Sequence, residues 1–471
     1  MTTSTCIEGL GNLRLNALSK GQGTALKSIL AQLETSQWSS PKELRDAQYK
    51  QLTKLCDHAA KNIPFHSQRL RRAGFVEGRA MTPEIWSRVP ILNRSDVRDL
   101  EKRLQVSSYP ESLGRTWTAS SGGSTGIPVR VVKTELDALI WQAVHLREIL
   151  WNGVLDDEEM ANMRGLSKDA YLKSEEDPLV LKEGGGIVLP DWGAPVRFLR
   201  RTGRMGILQP DQSLAVQVDF LLKRQPENLL MRPADLRLLL SHFREKGMQL
   251  TSLRRVWTIS ENVDDVLRKE CEEVFACPII SNYSANEVGY MALQCPLGTN
   301  YHLLSESIHV EVVRPNGEPC QSGEIGSVLA TPLHNFAMPL LRYEIGDEAE
   351  VGEACACGRG LPSIKRIVGR TQDYLLLKSG ERIRGHVNHY RISKISAVRE
   401  FQLVQKNLAS IELRLVTSRP LDADEMEYIY ELVEKPYGRY FKCSVSIVER
   451  LPRTQSGKLL QFVSEMNFRT S

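Results

Sequence analysis

The chain has no run approaching about 18 consecutive apolar residues, so no segment reads as a membrane-spanning helix. Met1 to Lys20 is polar and lacks the apolar stretch of a secretory signal. Charge of one sign is scarce: 61 Lys and Arg face 57 Asp and Glu, a net of +4. So small a surplus gives no electrostatic footing for nucleic acid or an anionic membrane, and neither is expected as a partner. A locally basic pocket for phosphates stays compatible with it. There is no internal repeat and no low-complexity segment. The nine cysteines fall at irregular spacing. In a chain expected to be cytoplasmic they read as thiols or metal ligands and not as a disulfide frame.

What is present is ordinary globular material, 41% hydrophobic and 25% charged over 471 residues. That length exceeds one hydrophobic core and predicts two or three domains. Ser40-Pro41 followed by Leu44, Leu52, Leu55, Cys56 and Ala59 reads as a capped amphipathic helix. It stops before Ile63-Pro64, because proline disfavours helical geometry in its predecessor. Helical patterns recur at Glu135 to Trp151 and Asn262 to Phe275. Short β-rich runs lie at Val129 to Val132, Gly186 to Leu189, Val256 to Ser260, Pro278 to Ser281, Ile308 to Val313 and Ile325 to Thr331. Strands alternating with helices predict a large α/β domain with several sheets packed on helices. In the tail, Tyr374 to Leu377, Phe401 to Val404, Ile411 to Val416 and Val445 to Val448 read as strands and Ala423 to Glu434 as a helix. This predicts a small α+β C-terminal domain, 370–471, joined to 1–369 by a polar hinge at Gly369 to Asp373.

Four segments carry chemistry. Thr118 to Pro128 holds Ser121, Gly122, Gly123, Ser124, Thr125 and Gly126 before a strand. Paired glycines let backbone N–H groups close around an anion, which suits the phosphates of ATP. It is not the common P-loop, which needs Gly-Lys-Ser/Thr ahead of a helix; the same composition also fits a Ser/Gly linker. Next, Tyr283-Ser-Ala-Asn-Glu287 follows a strand, and a carboxylate there can hold Mg²⁺ against phosphate oxygens. An aromatic beside it could stack on a purine, although taken alone an exposed loop glutamate is the better reading. Third, in Leu341-Arg-Tyr-Glu-Ile-Gly-Asp347, Asp347 could accept hydrogen bonds from ribose hydroxyls or close an Asx turn. Fourth, Leu451-Pro-Arg-Thr-Gln-Ser-Gly-Lys458 places a lysine where it could meet a developing carboxylate–phosphate charge, or simply lie in solvent.

The order of these segments resembles the adenylate-forming superfamily, which includes acyl-CoA synthetases, luciferases and peptide-synthetase adenylation domains. The chain is most similar to its phenylacetate–CoA ligase group and to related proteins of capsular-polysaccharide and secondary-metabolite pathways. Asn62-Ile-Pro-Phe-His66, Ala119-Ser-Ser-Gly and Cys357-Gly-Arg-Gly-Leu-Pro-Ser-Ile-Lys-Arg-Ile-Val-Gly-Arg370 carry the closer likeness. The resemblance implies that residues 121–126 cradle the phosphates and that Glu287 binds Mg²⁺. It implies that Ser281, Asn282 and Tyr283 flank adenine, that Asp347 holds the ribose with help from Arg370, and that Lys458 stabilises the adenylation transition state. It implies a small carboxylic acid, an aryl one among the options, activated with ATP and passed to the thiol of coenzyme A. The chain departs from the family pattern at Asn286, where Thr is usual, and at Gln372-Asp373 in the hinge. The polar loop Lys378 to Gly385 departs too, standing where a more apolar segment helps receive coenzyme A. The acceptor therefore stays open among a thiol, an amine, a carrier protein and a sugar hydroxyl. A kinase-like transferase and a catalytically inactive nucleotide-binding protein are the competing classes, and a homodimer is the assembly considered.

Cys295, His302, Cys355 and Cys357 form a one-His, three-Cys set, the ligand count of closed structural zinc. The same spacing occurs as a zinc site in some phenylacetate–CoA ligase relatives, while scattered buried thiols are the alternative. The acid pocket is expected to draw on Trp257 to Glu261 and on residues around Trp141 to Trp151.

Overall fold

A computed structural model describes residues 22–106, 109–121, 129–166, 180–210, 212–370, 374–385, 387, 389–392, 395, 397–453 and 459–466. They fall into two compact units: the first holds the chain through Ser121 and from Val129 to Val368, and the second runs on from Gly369.

In the first unit the helix Pro41–Asn62 begins where Ser40 and Glu43 exchange hydrogen bonds, 2.8 Å to the Ser40 N–H and 3.3 Å to the Glu43 N–H. This capping box satisfies two of the orphan donors at the helix start. The residues predicted to face inward, Leu44, Leu52, Leu55, Cys56 and Ala59, are buried. Each fully buried leucine contributes about 1.5–3 kcal/mol of burial free energy. Ile63 is extended at φ −127°, ψ 102°, as Pro64 requires, and a second helix, Pro64–Arg72, follows. Its His66 lies 2.9 Å from the Pro339 carbonyl and its Arg69 3.0 Å from that of Leu341. The Asn62-to-His66 motif thus anchors the N-terminal helices on the segment leading into Arg342.

Thirteen strands form one hydrogen-bonded sheet among the described residues, and Thr116–Ser120 pairs antiparallel with Arg130–Thr134 in a separate two-stranded sheet. Five strands are mutually parallel, in the order Met205–Ile207, Met160–Asn162, Asn228–Met231, Arg255–Thr258 and Ile279–Ala285. The helices Leu214–Arg224, Pro233–Lys246 and Asp265–Phe275 connect the last part of this set. The pleat sends alternate residues to opposite faces. Val256 and Ile279 join the core under those three helices, with Phe220, Leu239 and Phe243. Their neighbours Trp257 and Ile280 join the core on the other side, with Leu139, Ala143 and Val144 of the helix Glu135–Trp151. The other half of the sheet, from Gly289–Gln294 outwards, includes the antiparallel strands Ile308–Val313, Ile325–Pro332 and Tyr343–Val351.

The second unit is a four-stranded sheet ordered Lys442–Ile447, Ser410–Thr417, Val398–Asn407, Phe462–Ser464. The helix Ala423–Tyr437, capped by Asp422 and Glu425, buries Ile429, Leu432 and Val433. They share a core with Phe401, Leu403, Ile411 and Leu413. This is the α+β unit read from the tail.

Candidate active site

The strand Ile279–Ala285 is parallel to one neighbour and antiparallel to the other. Its exit turn, residues 286–288, therefore sits at the carboxyl end of the parallel set, where open α/β sheets take ligands. Glu287 occupies that turn and is 5% exposed. Arg94 Nη1 lies 3.4 Å from Glu287 Oε1, and the Tyr343 hydroxyl donates to the same oxygen at 3.5 Å. Burial, then the Glu287 charge, holds the Tyr343 hydroxyl well above its ordinary range, so it stays a donor. Arg94 also donates to the Ser121 hydroxyl. Ser121 makes two bonds to Val129: its N–H donates to the Val129 carbonyl at 2.9 Å, and its Oγ accepts from the Val129 N–H at 2.9 Å. Asn286 donates to the Ser120 carbonyl at 3.1 Å. Ser121 and Glu287, 166 residues apart in sequence, are thus bridged by one guanidinium. Gly122, Gly123, Ser124, Thr125 and Gly126 lie outside the described residues, as do Gln372, Asp373 and Lys458. Arg370 is described as the last residue of the strand Ser363–Arg370. Arg453 and Leu459, on either side of the Lys458 segment, pair in an antiparallel bridge.

The Tyr283 hydroxyl donates to Asp347 Oδ2 at 2.9 Å, which joins the second and third motifs. Tyr283 is 5% exposed, its ring in the main core, so it offers this site a hydroxyl and not an open ring face. Ser281 N–H donates to Gln294 Oε1 at 3.1 Å, and Asn282 Nδ2 donates to Glu148 Oε1 at 3.0 Å. Within the third motif the roles divide. Arg342 turns inward at φ +52° and holds Glu311 at 3.1 Å, the Ser87 carbonyl at 2.7 Å and the Val89 carbonyl at 2.8 Å. That arginine holds the scaffold, while Tyr343 and Asp347 belong to the site.

Beside the Glu287 turn lies a cavity of about 400 Å³, lined among others by Trp117, Lys133, Trp141, Asn286, Tyr290 and His334. Of the tryptophans expected in the acid pocket, only Trp141 lines it. Trp257 donates to Asn228 Oδ1 at 3.0 Å and Trp151 to Gln37 Oε1 at 2.8 Å, both inside the core. An indole's polar tip is satisfied equally by a core amide or by a ligand, so residue type alone did not separate them. Arg94 and Lys133 were not anticipated. Lys133 had a legible signal: it shares strand parity with Val129 and Val131, both fully buried. Arg94 had none, since its partners lie 27 and 193 residues away.

The metal-ligating atoms of Cys295, His302, Cys355 and Cys357 all lie within 4.8 Å of one another. The Cys295 and Cys355 sulfurs are 3.6 Å apart, and Cys357 Sγ is 3.3 Å from His302 Nε2. A tetrahedral zinc with bonds of about 2.3 Å to sulfur and 2.0 Å to nitrogen has ligand–ligand edges of roughly 3.5–3.8 Å, so the donor set fits. His302 Nδ1 lies 3.4 Å from the Leu361 carbonyl. Only a protonated Nδ1 can satisfy that oxygen, which leaves the Nε2 lone pair facing the cysteines. Gly358 takes φ +83° just past Cys357, a turn that suits glycine. Burial pushes the metal-free Cys295 thiol up to about 12.

Residues 375–465 match the family of the CapK C-terminal domain. The chain is 24% identical over 449 residues to a phenylacetate-coenzyme A ligase of Thermus thermophilus, covering 89% of this chain and 96% of that protein. It is 26% identical over 264 residues to Protein CapK of Staphylococcus aureus, covering 52% of this chain and 55% of that one. A crystal structure of 2-hydroxyisobutyryl-CoA ligase in complex with 2-HIB-AMP superposes with a TM-score of 0.67 at 18% identity, over 89% of each chain. Over nearly its whole length, then, the chain is similar in sequence to phenylacetate-coenzyme A ligases and in fold to an adenylate-forming acyl-CoA ligase.

Proposed function

We propose that the protein is an AMP-forming ligase that joins a small carboxylic acid to a thiol, with coenzyme A as the acceptor. The observation that carries this reading is the meeting of Glu287 and Ser121 on the Arg94 guanidinium, with their chain neighbours Asn286 and Ser120 lining the adjacent cavity. Residues 1–369 form the part that binds ATP and the acid, and 370–471 the part that carries Lys458. A carboxylate is a poor electrophile, so its oxygen first attacks the α-phosphorus of ATP. The bond from that phosphorus to the bridging oxygen breaks, and pyrophosphate leaves. The thiol sulfur then attacks the acyl carbon, losing its proton, and AMP leaves with the electron pair of the anhydride bond.

Magnesium bound by Glu287 would neutralise phosphate oxygens. Arg94 keeps Glu287 and the Ser121 end of the phosphate segment in register and adds a second positive charge. Asp347, oriented by the Tyr283 hydroxyl, is assigned the ribose hydroxyls, and Arg370 is assigned the assisting role. Segment 121–126 is assigned the phosphates and Ser281 to Tyr283 the adenine edge. Lys458 is assigned the charge that stabilises the transition state. Cys295, His302, Cys355 and Cys357 are assigned structural zinc, which keeps three thiols paired in a reducing cytoplasm. Lys458→Ala is expected to lower carboxylate-dependent ATP–pyrophosphate exchange by about two orders of magnitude or more, with the fold intact. Unchanged exchange removes that role.

A second reading keeps the first half-reaction and changes the acceptor to an amine, a carrier protein or a sugar hydroxyl. The CapK-type match of the C-terminal unit and its polar loop Lys378 to Gly385 favour it. Offering each acceptor to the preformed adenylate, and following AMP release, separates the two.

A further inference from the structure

Lys133 lies on the strand Arg130–Thr134 and lines the cavity, yet it is 5% exposed. Among the described residues its ammonium makes no hydrogen bond or ion pair. His334, 1% exposed, lines the same cavity. Its Nε2 sits 2.9 Å from the Glu306 carbonyl and must carry a proton to satisfy it. Burial holds this imidazole below its ordinary range, hence neutral. Its Nδ1 is therefore a bare acceptor, and it has no partner among the described residues. The cavity lining thus includes, among the described residues, an unpaired donor and an unpaired acceptor, each costly to bury alone. The same lining carries three aromatic side chains, Trp117, Trp141 and Tyr290, the last two with ring centroids 4.3 Å apart.

We propose that the cavity takes an aromatic carboxylic acid bearing a ring hydroxyl, which accepts from Lys133 and donates to His334 Nδ1. This rests on reading the cavity as the acid site. A hydroxyl is the small group that supplies both an acceptor and a donor. A second carboxylate suits that pair less well. It would bring no donor for His334. Asp137, whose Oδ2 accepts from the Thr134 N–H at 2.7 Å, also lines the cavity, and its charge and that of Glu287 already act on Lys133. The reacting carboxylate belongs at the other end. Lys133 pairs with Trp117, three residues along the strand from the Ser120–Arg130 pair beside the Glu287 turn. That is about 10 Å of backbone.

The test is calorimetric titration of the full-length protein with 4-hydroxyphenylacetate, 3-hydroxyphenylacetate and phenylacetate, repeated with Lys133→Met and Lys133→Gln, and with ATP–pyrophosphate exchange run in parallel. The wild type is expected to prefer one hydroxylated acid over phenylacetate by about 10- to 100-fold. In both variants that ratio falls to roughly one. Equal affinities in the wild type, binding of none of the acids, or an unchanged ratio in the variants overturns the proposal; an unchanged ratio means that Lys133 holds the shared carboxylate or nothing. Preferential binding without exchange upholds the hydroxyl clasp and removes the ligase reading. Exchange with no preference does the reverse.

Discussion

Removing one cysteine from the Cys295–His302–Cys355–Cys357 cluster tests its assignment to zinc. Cys357→Ser leaves the chain's elements intact but replaces a thiolate ligand 3.3 Å from His302 with a poor one. With zinc bound, the cluster clamps Cys355 to Cys295, 60 residues away. The segment that carries Cys355 and Cys357, between the strands Tyr343–Val351 and Ser363–Arg370, has no ladder of its own. Treated as a cross-link closing a loop of that length, the clamp removes about 4 kcal/mol of chain entropy from the unfolded state. For a unit of this size, at about 2 °C per kcal/mol, the melting temperature should fall by about 8 °C. The assay is metal content of the dialysed protein by mass spectrometry, with thermal unfolding of the wild type and Cys357→Ser before and after chelator. About one equivalent of zinc is expected in the wild type, and chelator should bring it down to the variant's melting temperature. Metal-free wild type, with neither chelator nor substitution shifting the melt, refutes the assignment.

Arg94→Ala should lower ATP–pyrophosphate exchange by about 10- to 100-fold, since the guanidinium is the group bridging Ser121 and Glu287. Arg94 is on the rim of the core, so circular dichroism should be unchanged, and full exchange activity would show that the bridge is idle. Acid should destabilise the first unit well above the carboxylate range. Burial lowers His66 from its ordinary 6.5 to about 3, and burial also lowers His309 and His334. Between those values the unfolded chain binds protons that the folded chain refuses, so stability rises with pH by up to about 1.4 kcal/mol per pH unit per histidine. It is lost as pH falls through the unfolded value near 6.5. Denaturant unfolding at about pH 7 and about pH 5.5 measures this. Equal midpoints would mean that these imidazoles are not desolvated.

Local signals were legible because they depend on neighbours three or four residues away. The helix Glu135–Trp151 was readable to its ends: Thr134 and Asp137 form the capping box that starts it, and apolar residues repeat along it up to Trp151. Gly186–Leu189 and Ile308–Val313 likewise fall where β-rich runs predicted strands. The helices Leu214–Arg224 and Pro233–Lys246 went unread, although each begins at a recognisable start, Ser213 and Pro233.

By itself the sequence determined the two kinds of unit, the start and stop of the capped helices, and the candidate set Cys295, His302, Cys355 and Cys357. All of these follow from short-range periodicity, proline geometry or side-chain chemistry. The tertiary structure decided which side chains share a cavity. The turn at Glu287, the strand of Lys133, the helix of Trp141 and the segment holding His334 all contribute to its lining. It also decided that Trp257 and Trp151 pack into the core while Trp141 faces a ligand-sized space. Whether a buried polar tip meets a core amide or a substrate depends on which strands pair, and strand pairing is a property of the whole sheet.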